Sequence, residues 1–366
     1  MKKRVLILGP DLRLMGGVAN YYRTLRLHEL DNIDYFAVND GKKSFFKKLK
    51  RLIENYFRFV RKVRLQQPDI VHVNPSLQRN SFYRDAIFIM LTKLLRKKVI
   101  VFFRGWREDY EEKVRRNFVQ KTLFRISYAK ADTFIVLSEQ FQKKLHQMGV
   151  SPTIPFFTET TVADSTFLNE LNFPLRFAQF KKEVVFLFLA RVEKEKGIYI
   201  AIDAFKIFSK THQNRRATLI IAGDGPELDR AKQYAEKNAI PNIQFTGMVT
   251  GENKKKVLLD AHILIFPSYT EGLPNTILEC MVYGMPVIAR STGGIPDIIR
   301  QGENGYITDS FEPVVFSGLL EKIVFDQAKY EYMSLQNHKQ AKETFTTEIV
   351  KSRILKIYHS FEMPTK

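Results

Sequence analysis

Short apolar runs of strand length alternate with segments whose apolar residues recur every three or four positions, through most of the chain. That alternation predicts parallel β-sheets covered by helices. In the first half the runs fall at 4–8, 33–37, 70–74, 99–103 and 133–137. The rhythm fails over 151–182, where Pro152, Pro155 and Pro174 punctuate a polar stretch, and this is the expected linker. It restarts at 184–190 and continues at 218–222, 243–245, 263–266 and 287–289. A last helical pattern covers about 347–361, placed to pack back toward the first half. The expected architecture is α/β: a Rossmann-like domain over 1–170, a second over 183–345, and a C-terminal helical segment, 346–366. Doubly wound sheets place ligands beyond the carboxyl ends of their strands, so two such domains facing each other make a cleft.

Composition sharpens this picture only in part. With 366 residues, 45% hydrophobic and 27% charged, the chain is globular, and disordered, collagen-like and disulfide-stapled classes are excluded. One cysteine, Cys280, forms no internal disulfide and fits a reducing compartment. The charged start Met1-Lys2-Lys3-Arg4 precedes an apolar run too short for a signal peptide, and no run is long enough to span a bilayer. A cytoplasmic protein is expected.

Charge changes the picture more. Lys and Arg number 58 against 39 Asp and Glu, a net of +19, and residues 1–175 alone carry +15. Such asymmetry points to a polyanionic partner for the first half, nucleic acid or acidic phospholipid. Within 42–64, ten basic residues face one acid, Glu54. Phe45, Phe46, Leu49, Leu52, Ile53, Tyr56, Phe57, Val60 and Val63 recur at helical spacing. A basic amphipathic helix rich in Phe suits a membrane interface, although a Rossmann helix also needs an apolar stripe to cover its sheet. Further basic clusters at 93–98 and 115–125 point the same way. Peripheral association with the inner face of the plasma membrane is therefore expected.

Four motifs bear on chemistry. Leu8-Gly9-Pro10 leading to Gly16-Gly17 is strand, glycine loop and helix, but neither GxGxxG nor a P-loop, and a plain βα turn fits it equally well. Arg191 and Lys196-Gly197 follow a strand end, where a diphosphate would collect two cations. Gly223-Asp224-Gly225-Pro226 reads as a tight structural turn. The most specific run is Glu271-Gly272-Leu273-Pro274-Asn275-Thr276, followed on the helix by Glu279 among Ile277, Leu278, Cys280 and Met281. A carboxylate in so apolar a stretch is costly without a purpose. Two acids flanking a helix start suit a sugar diphosphate: one for sugar hydroxyls, one for ribose hydroxyls, and free N–H groups for phosphate.

That run continues through Gly284-Met285-Pro286-Val287-Ile288 and Gly293-Gly294-Ile295-Pro296-Asp297. With Arg191, Lys196-Gly197, Gly223-Asp224-Gly225-Pro226 and Phe245-Thr246-Gly247 in order, it resembles the retaining glycosyltransferases of family 4, strongly over 184–308 and diffusely before. The resemblance implies the two-Rossmann-domain GT-B fold and a UDP- or GDP-sugar donor. It also implies a lipid-linked or polysaccharide acceptor, as in cell-surface glycan synthesis. Arg191 and Lys196 would hold the diphosphate, Glu271 the sugar, and Gly272, Leu273, Pro274, Asn275 and Thr276 the sugar and phosphate. Glu279 would bind the ribose, Met248 and Val249 would lie near the base, and Gly16 and Gly17 would close over the phosphate. The anomeric configuration would be retained by front-face attack, with no cofactor and no metal; the chain has no Asp-x-Asp. Many relatives place a histidine where Arg104 stands, so Arg104 would instead stabilise the departing phosphate.

Other functions rank below this. A nucleotide-sugar 2-epimerase shares the fold but lacks the Glu-x7-Glu run with Arg-x4-Lys-Gly. A nucleic-acid binder would use the basic half, yet no helix-turn-helix, zinc spacing or RNP motif occurs. A nicotinamide dehydrogenase would need the missing GxGxxG. His72 and His262 read as structural, and Trp106 stands equally between acceptor contact and packing.

Overall fold

The computed structural model describes residues 2–14, 16–39, 45–163 and 171–362; Lys42 and Lys43, and the side chains of 45–49, lie outside the described residues. The chain divides into two compact units, Met1–Val162 with Thr347–Lys366, and Ala163–Thr346.

In the first unit the strands are β1 (Val5–Pro10), β2 (Ile33–Asn39), β3 (Ile70–Val73), β4 (Ser76–Leu77), β5 (Lys98–Phe102), β6 (Gly105–Trp106), β7 (Thr133–Val136) and β8 (Phe156–Thr158). The helices are α1 (Gly17–Leu25), α2 (Phe45–Gln66), α3 (Arg79–Leu94), α4 (Glu108–Arg116), α5 (Phe118–Ile126) and α6 (Glu139–Gln147). Six strands form one parallel sheet in the order β2-β1-β3-β5-β7-β8, and β4 pairs with β6 apart from it. Strands β1, β3, β5 and β7 are buried almost throughout, as continuous apolar strands covered on both faces must be.

The crossovers from β2 to β3, β3 to β5 and β5 to β7 all step the same way along the sheet, whereas β1 to β2 steps back. Right-handed connections therefore lay α2, α3 and α5 on one face and α1 on the other. The layer is tied laterally: the Tyr56 hydroxyl of α2 donates to the Arg84 carbonyl of α3 at 3.2 Å, and the Gln120 amide of α5 to the Tyr83 hydroxyl at 3.1 Å.

The second unit contains β9 (Val184–Leu189), β10 (Ala217–Ala222), β11 (Ile243–Gly247), β12 (Ile263–Phe266), β13 (Val287–Arg290) and β14 (Gly305–Thr308). Its helices are α7 (Phe173–Lys182), α8 (Ile198–Thr211), α9 (Leu228–Lys237), α10 (Gly251–Asp260), α11 (Asn275–Val282), α12 (Ile295–Ile298), α13 (Pro313–Val324) and α14 (Gln327–Thr344). The sheet is parallel, ordered β11-β10-β9-β12-β13-β14. Its core packs Phe186, Phe188, Ile221 and Ile265 against Phe205 and Phe208 of α8 and Leu320 of α13. The chain leaves β9 toward β10 and returns to β12 on β9's other side, so the switch point lies between β9 and β12.

A final helix, α15 (Thr347–His359), belongs to the first unit and lies beside α1. Its Tyr358 hydroxyl sits 2.7 Å from Nδ1 of His72, and Nε of Arg353 donates to both Glu159 oxygens at 2.9 and 3.1 Å.

Two expectations are corrected. The stretch 151–182 is not a bare linker: it carries the edge strand β8 and helix α7, whose start Asn172 caps by accepting from the Leu175 amide at 3.0 Å. Prolines are compatible with both, one at a strand edge and the other in a first helical turn. The apolar stripe of α2 also divides. Of its described members Val63 is buried and Leu52, Tyr56 and Val60 are half-buried, while Ile53 and Phe57 are exposed, Phe57 by 73%; Phe59, outside the predicted stripe, is buried instead.

Candidate functional site

At the switch point the loop after β9 meets the loop after β12. The amide of Tyr269 donates to the Glu195 carbonyl at 2.8 Å, which sets Lys196 opposite Glu271. Their side chains form an ion pair, Lys196 Nζ to Glu271 Oε1, at 2.6 Å, with the carboxylate 11% and the amine 25% exposed. Two glycines permit this closeness. Gly197 has φ of 73°, and a Cβ there would strike the Pro267 carbonyl. Gly293, at φ 59°, lies against the carbonyls of Glu271 and Gly272, and the Gly294 amide donates to the Gly272 carbonyl at 2.6 Å. Both positions combine left-handed backbone with no room for a side chain, so only glycine suits them.

Helix α11 begins directly after Glu271-Gly272-Leu273-Pro274. Pro274 is its N-cap, and no side chain caps the first turn. The opening amides of Asn275 and Thr276, both half-buried, carry the partial positive charge of a helix start. One turn further in, Glu279 is 5% exposed, and Oε2 accepts from Lys254 Nζ of α10 at 2.7 Å. Burial of that carboxylate is therefore matched by a cation that no spacing in the sequence indicates, because α10 and α11 are separated by β12. A second support also escapes sequence reading: the Arg290 guanidinium lies 3.6 Å from the Phe311 ring and donates to the Tyr269 carbonyl at 3.4 Å, bracing the loop that carries Glu271.

Other expected site residues are less gathered. Arg191 is 71% exposed and pairs with Glu193 at 2.6 Å, outside the Lys196–Glu271 pair. Met248, 64% exposed, and half-buried Val249 follow β11. In the first unit, Gly16 and Gly17 open α1 with open space around each Cβ position.

Arg104 lies in the first unit just past β5, its guanidinium 4.0 Å from the Tyr21 ring and 4.3 Å from the Phe102 ring. Among the described residues no hydrogen-bond partner meets Nε or Nη1, both buried, and burial lowers its pKa from the ordinary arginine value. Trp106, by contrast, packs: its indole donates to Glu111 at 2.8 Å and stacks on Phe141. His72 is wholly buried, and burial, then nearby Arg104, takes its pKa down to about 3. His262 accepts from the Val185 amide through Nδ1 and donates its own amide to the Val185 carbonyl, a strand-aligning role.

Among the described residues no three His, Cys, Asp or Glu cluster as metal ligands would, and no helix is long and apolar enough to cross a membrane.

Comparison with known proteins bears on the fold and the family. Residues 174–340 match the family described as glycosyl transferases group 1, and residues 27–154 match the glycosyl transferase 4-like domain. Similar curated proteins include an uncharacterized glycosyltransferase of Methanocaldococcus jannaschii, 26% identical over 52% of this chain and 48% of its own length. The capsular polysaccharide biosynthesis glycosyltransferase CapM of Staphylococcus aureus is 22% identical over 48% of this chain and 45% of its own. The chain thus spans about half the length of the first curated relatives it matches. Among solved structures, Anabaena HepE, crystallised with UDP, superposes with a TM-score of 0.74 at 16% identity, over 98% of this chain and 100% of that one. Sucrose-phosphate synthase of Thermosynechococcus elongatus gives 0.76 at 17% identity, over 99% of each chain. With two parallel Rossmann-like sheets, the Lys196–Glu271 switch point and both family matches in order, the chain belongs to the group 1 glycosyltransferases of GT-B fold.

Proposed function

We propose that this glycosyltransferase moves a sugar from a UDP- or GDP-sugar to a lipid-linked or polysaccharide acceptor in cell-surface glycan synthesis, with retention and without a metal. The observation that carries the reading is the Lys196–Glu271 pair held beside the uncapped start of α11. A diphosphate seated on the Asn275 and Thr276 amides would share the Lys196 ammonium with Glu271, leaving the second carboxylate oxygen for sugar hydroxyls. Arg191, swung from Glu193, adds a second cation, Glu279 takes the ribose, and Met248 and Val249 take the base. In the first unit, Arg104, Gly16 and Gly17 are assigned to the anionic leaving group. As the glycosidic bond to phosphate breaks, negative charge gathers on the diphosphate, and prearranged cations and amides stabilise it there. In front-face attack the departing phosphate oxygen takes the proton of the incoming acceptor hydroxyl, so retention needs no separate base.

Support for the donor class comes from HepE, which is described in complex with UDP and with UDP-glucose, and for the acceptor class from CapM and the amylovoran glycosyltransferase AmsK of Erwinia amylovora. The test is the melting temperature of the purified protein with UDP, GDP or ADP, in EDTA. A ligand that binds the native state raises it by mass action. A rise with UDP or GDP is expected; no rise with either, or one that appears only after Mg²⁺ is restored, would overturn the metal-free donor assignment.

A further inference from the structure

The first unit has one face unlike the rest of its surface. Among the described residues, its exposed large apolar side chains are Ile53, Phe57, Leu65, Tyr83, Leu94, Phe118, Val119 and Ile126, and every one lies on α2, α3 or α5. These three helices form the layer on one side of the sheet, while α1 and α15, on the other side, contribute none. The same layer holds the charge. Helix α2 carries six described basic side chains to one acid and α5 two to none, while of the three on α3, Arg84 and Lys93 are paired with Asp85 and Asp132.

On α2 the two kinds of residue share one exposed strip: Lys50, Ile53, Phe57, Arg61 and Arg64 follow at intervals of three and four. Beside it, Arg51, Arg58, Arg61 and Lys62 line a groove between α2 and the edge strand β2.

We propose that the outer face of the α2–α3–α5 layer docks on a bilayer containing anionic phospholipid. The inference deepens the reading of a lipid-linked acceptor and rests on it for its purpose, but not for its geometry. Apolar rings standing singly among cations on a convex helical face enter the boundary between headgroups and acyl chains, while the cations meet lipid phosphates. The groove beside α2, lined by these cations together with Arg13 and Asp11, adds net positive charge for lipid phosphates. A second copy of the chain is a poor occupant, because two such faces would oppose strongly positive surfaces. Exposed Phe57 and Phe118, 73% and 81% accessible, have no use in a purely ionic contact with a polyanion.

Co-sedimentation of the full chain with phosphatidylglycerol–phosphatidylcholine vesicles, against phosphatidylcholine alone, tests this. Binding to the anionic vesicles only is expected, falling as salt rises. Phe57→Ser with Phe118→Ser keeps every charge and should weaken it about tenfold or more. Both side chains are exposed, so the fold and the nucleotide-induced rise in melting temperature should persist in the double variant. Equal vesicle binding by wild type and variant would overturn the proposal. So would absence of binding to anionic vesicles, a dimer that the two substitutions dissolve, or capture by heparin that outcompetes vesicles and ignores the substitutions. A nucleotide shift without vesicle binding would sink the docking face alone; vesicle binding without a nucleotide shift would sink the donor reading alone.

Discussion

At the scale of single residues, the site depends on short polar contacts between groups far apart in sequence. Lys196 and Glu271 are 75 residues apart yet meet at 2.6 Å. Removing Lys196 takes away the cation proposed to meet the charge of the leaving diphosphate, and removing Glu271 takes away both the anchor of that cation and the acceptor proposed for the sugar hydroxyls. Lys196→Ala and Glu271→Ala should each lower kcat by roughly 10²–10³-fold. Circular dichroism and melting temperature should stay near wild type, because both side chains keep some exposure to water. Steady-state kinetics beside a melting curve check this, and full turnover in both variants would refute the assignment. The histidines act differently. His72 and His262 are held neutral by burial, each with a pKa of about 3 against an ordinary 6.5. The unfolded chain protonates these rings near pH 6.5, the folded chain only near 3. Stability is therefore intact above about pH 6.5 and falls as pH drops toward 3, by up to about 1.4 kcal/mol per pH unit for each ring. His72 lies in the first unit and His262 in the second, so urea denaturation at pH 7 and pH 5 should show both weakened.

At the scale of elements, α15 shows how a segment far along the chain completes a unit begun at its start. Glu159, 4% exposed, follows β8, and its carboxylate accepts from Arg353 of α15. Burial raises the pKa of Glu159 and Arg353 opposes that rise. Arg353→Ala would strand a buried carboxylate and should destabilise the first unit by about 2 kcal/mol, with Glu159→Gln in the same chain restoring part of the loss. Thermal unfolding of the single and double variants measures the coupling. The strands most plainly marked in the sequence are the central ones, β1, β3, β5, β7, β9 and β12. Strands buried on both faces must be apolar throughout, so their signal is strong. Four strands escape sequence patterning: β4 and β6 are two-residue strands paired apart from the sheets, and β8 and β14 are short sheet edges, where composition is less constrained. On α2 the pattern predicts a stripe but mixes two faces, because Val63 is buried while Phe57 meets solvent.

At the scale of the whole molecule, the charge asymmetry takes a spatial form. The excess of the first half is concentrated on one helical layer of one unit, the layer that also carries that unit's exposed rings. Spread evenly, that excess would serve solubility; gathered with apolar side chains, it makes the face proposed for docking, for which the vesicle experiment is the measure.

Sequence by itself determined the class of fold, the order of its central strands along the chain, and the turn into a helix that runs from Glu271 to Glu279. These follow from local rules: apolar runs must be buried, glycine and proline set turns, and a helix start presents amides whatever surrounds it. Only tertiary structure decided which partners those groups have. Lys254 pairs with Glu279, Glu193 pairs with Arg191, and Arg104 stands against two rings. It also decided which half of an amphipathic helix faces water. Spacing along one helix limits which residues share a face, but the direction of that face is set by the sheet against which it packs.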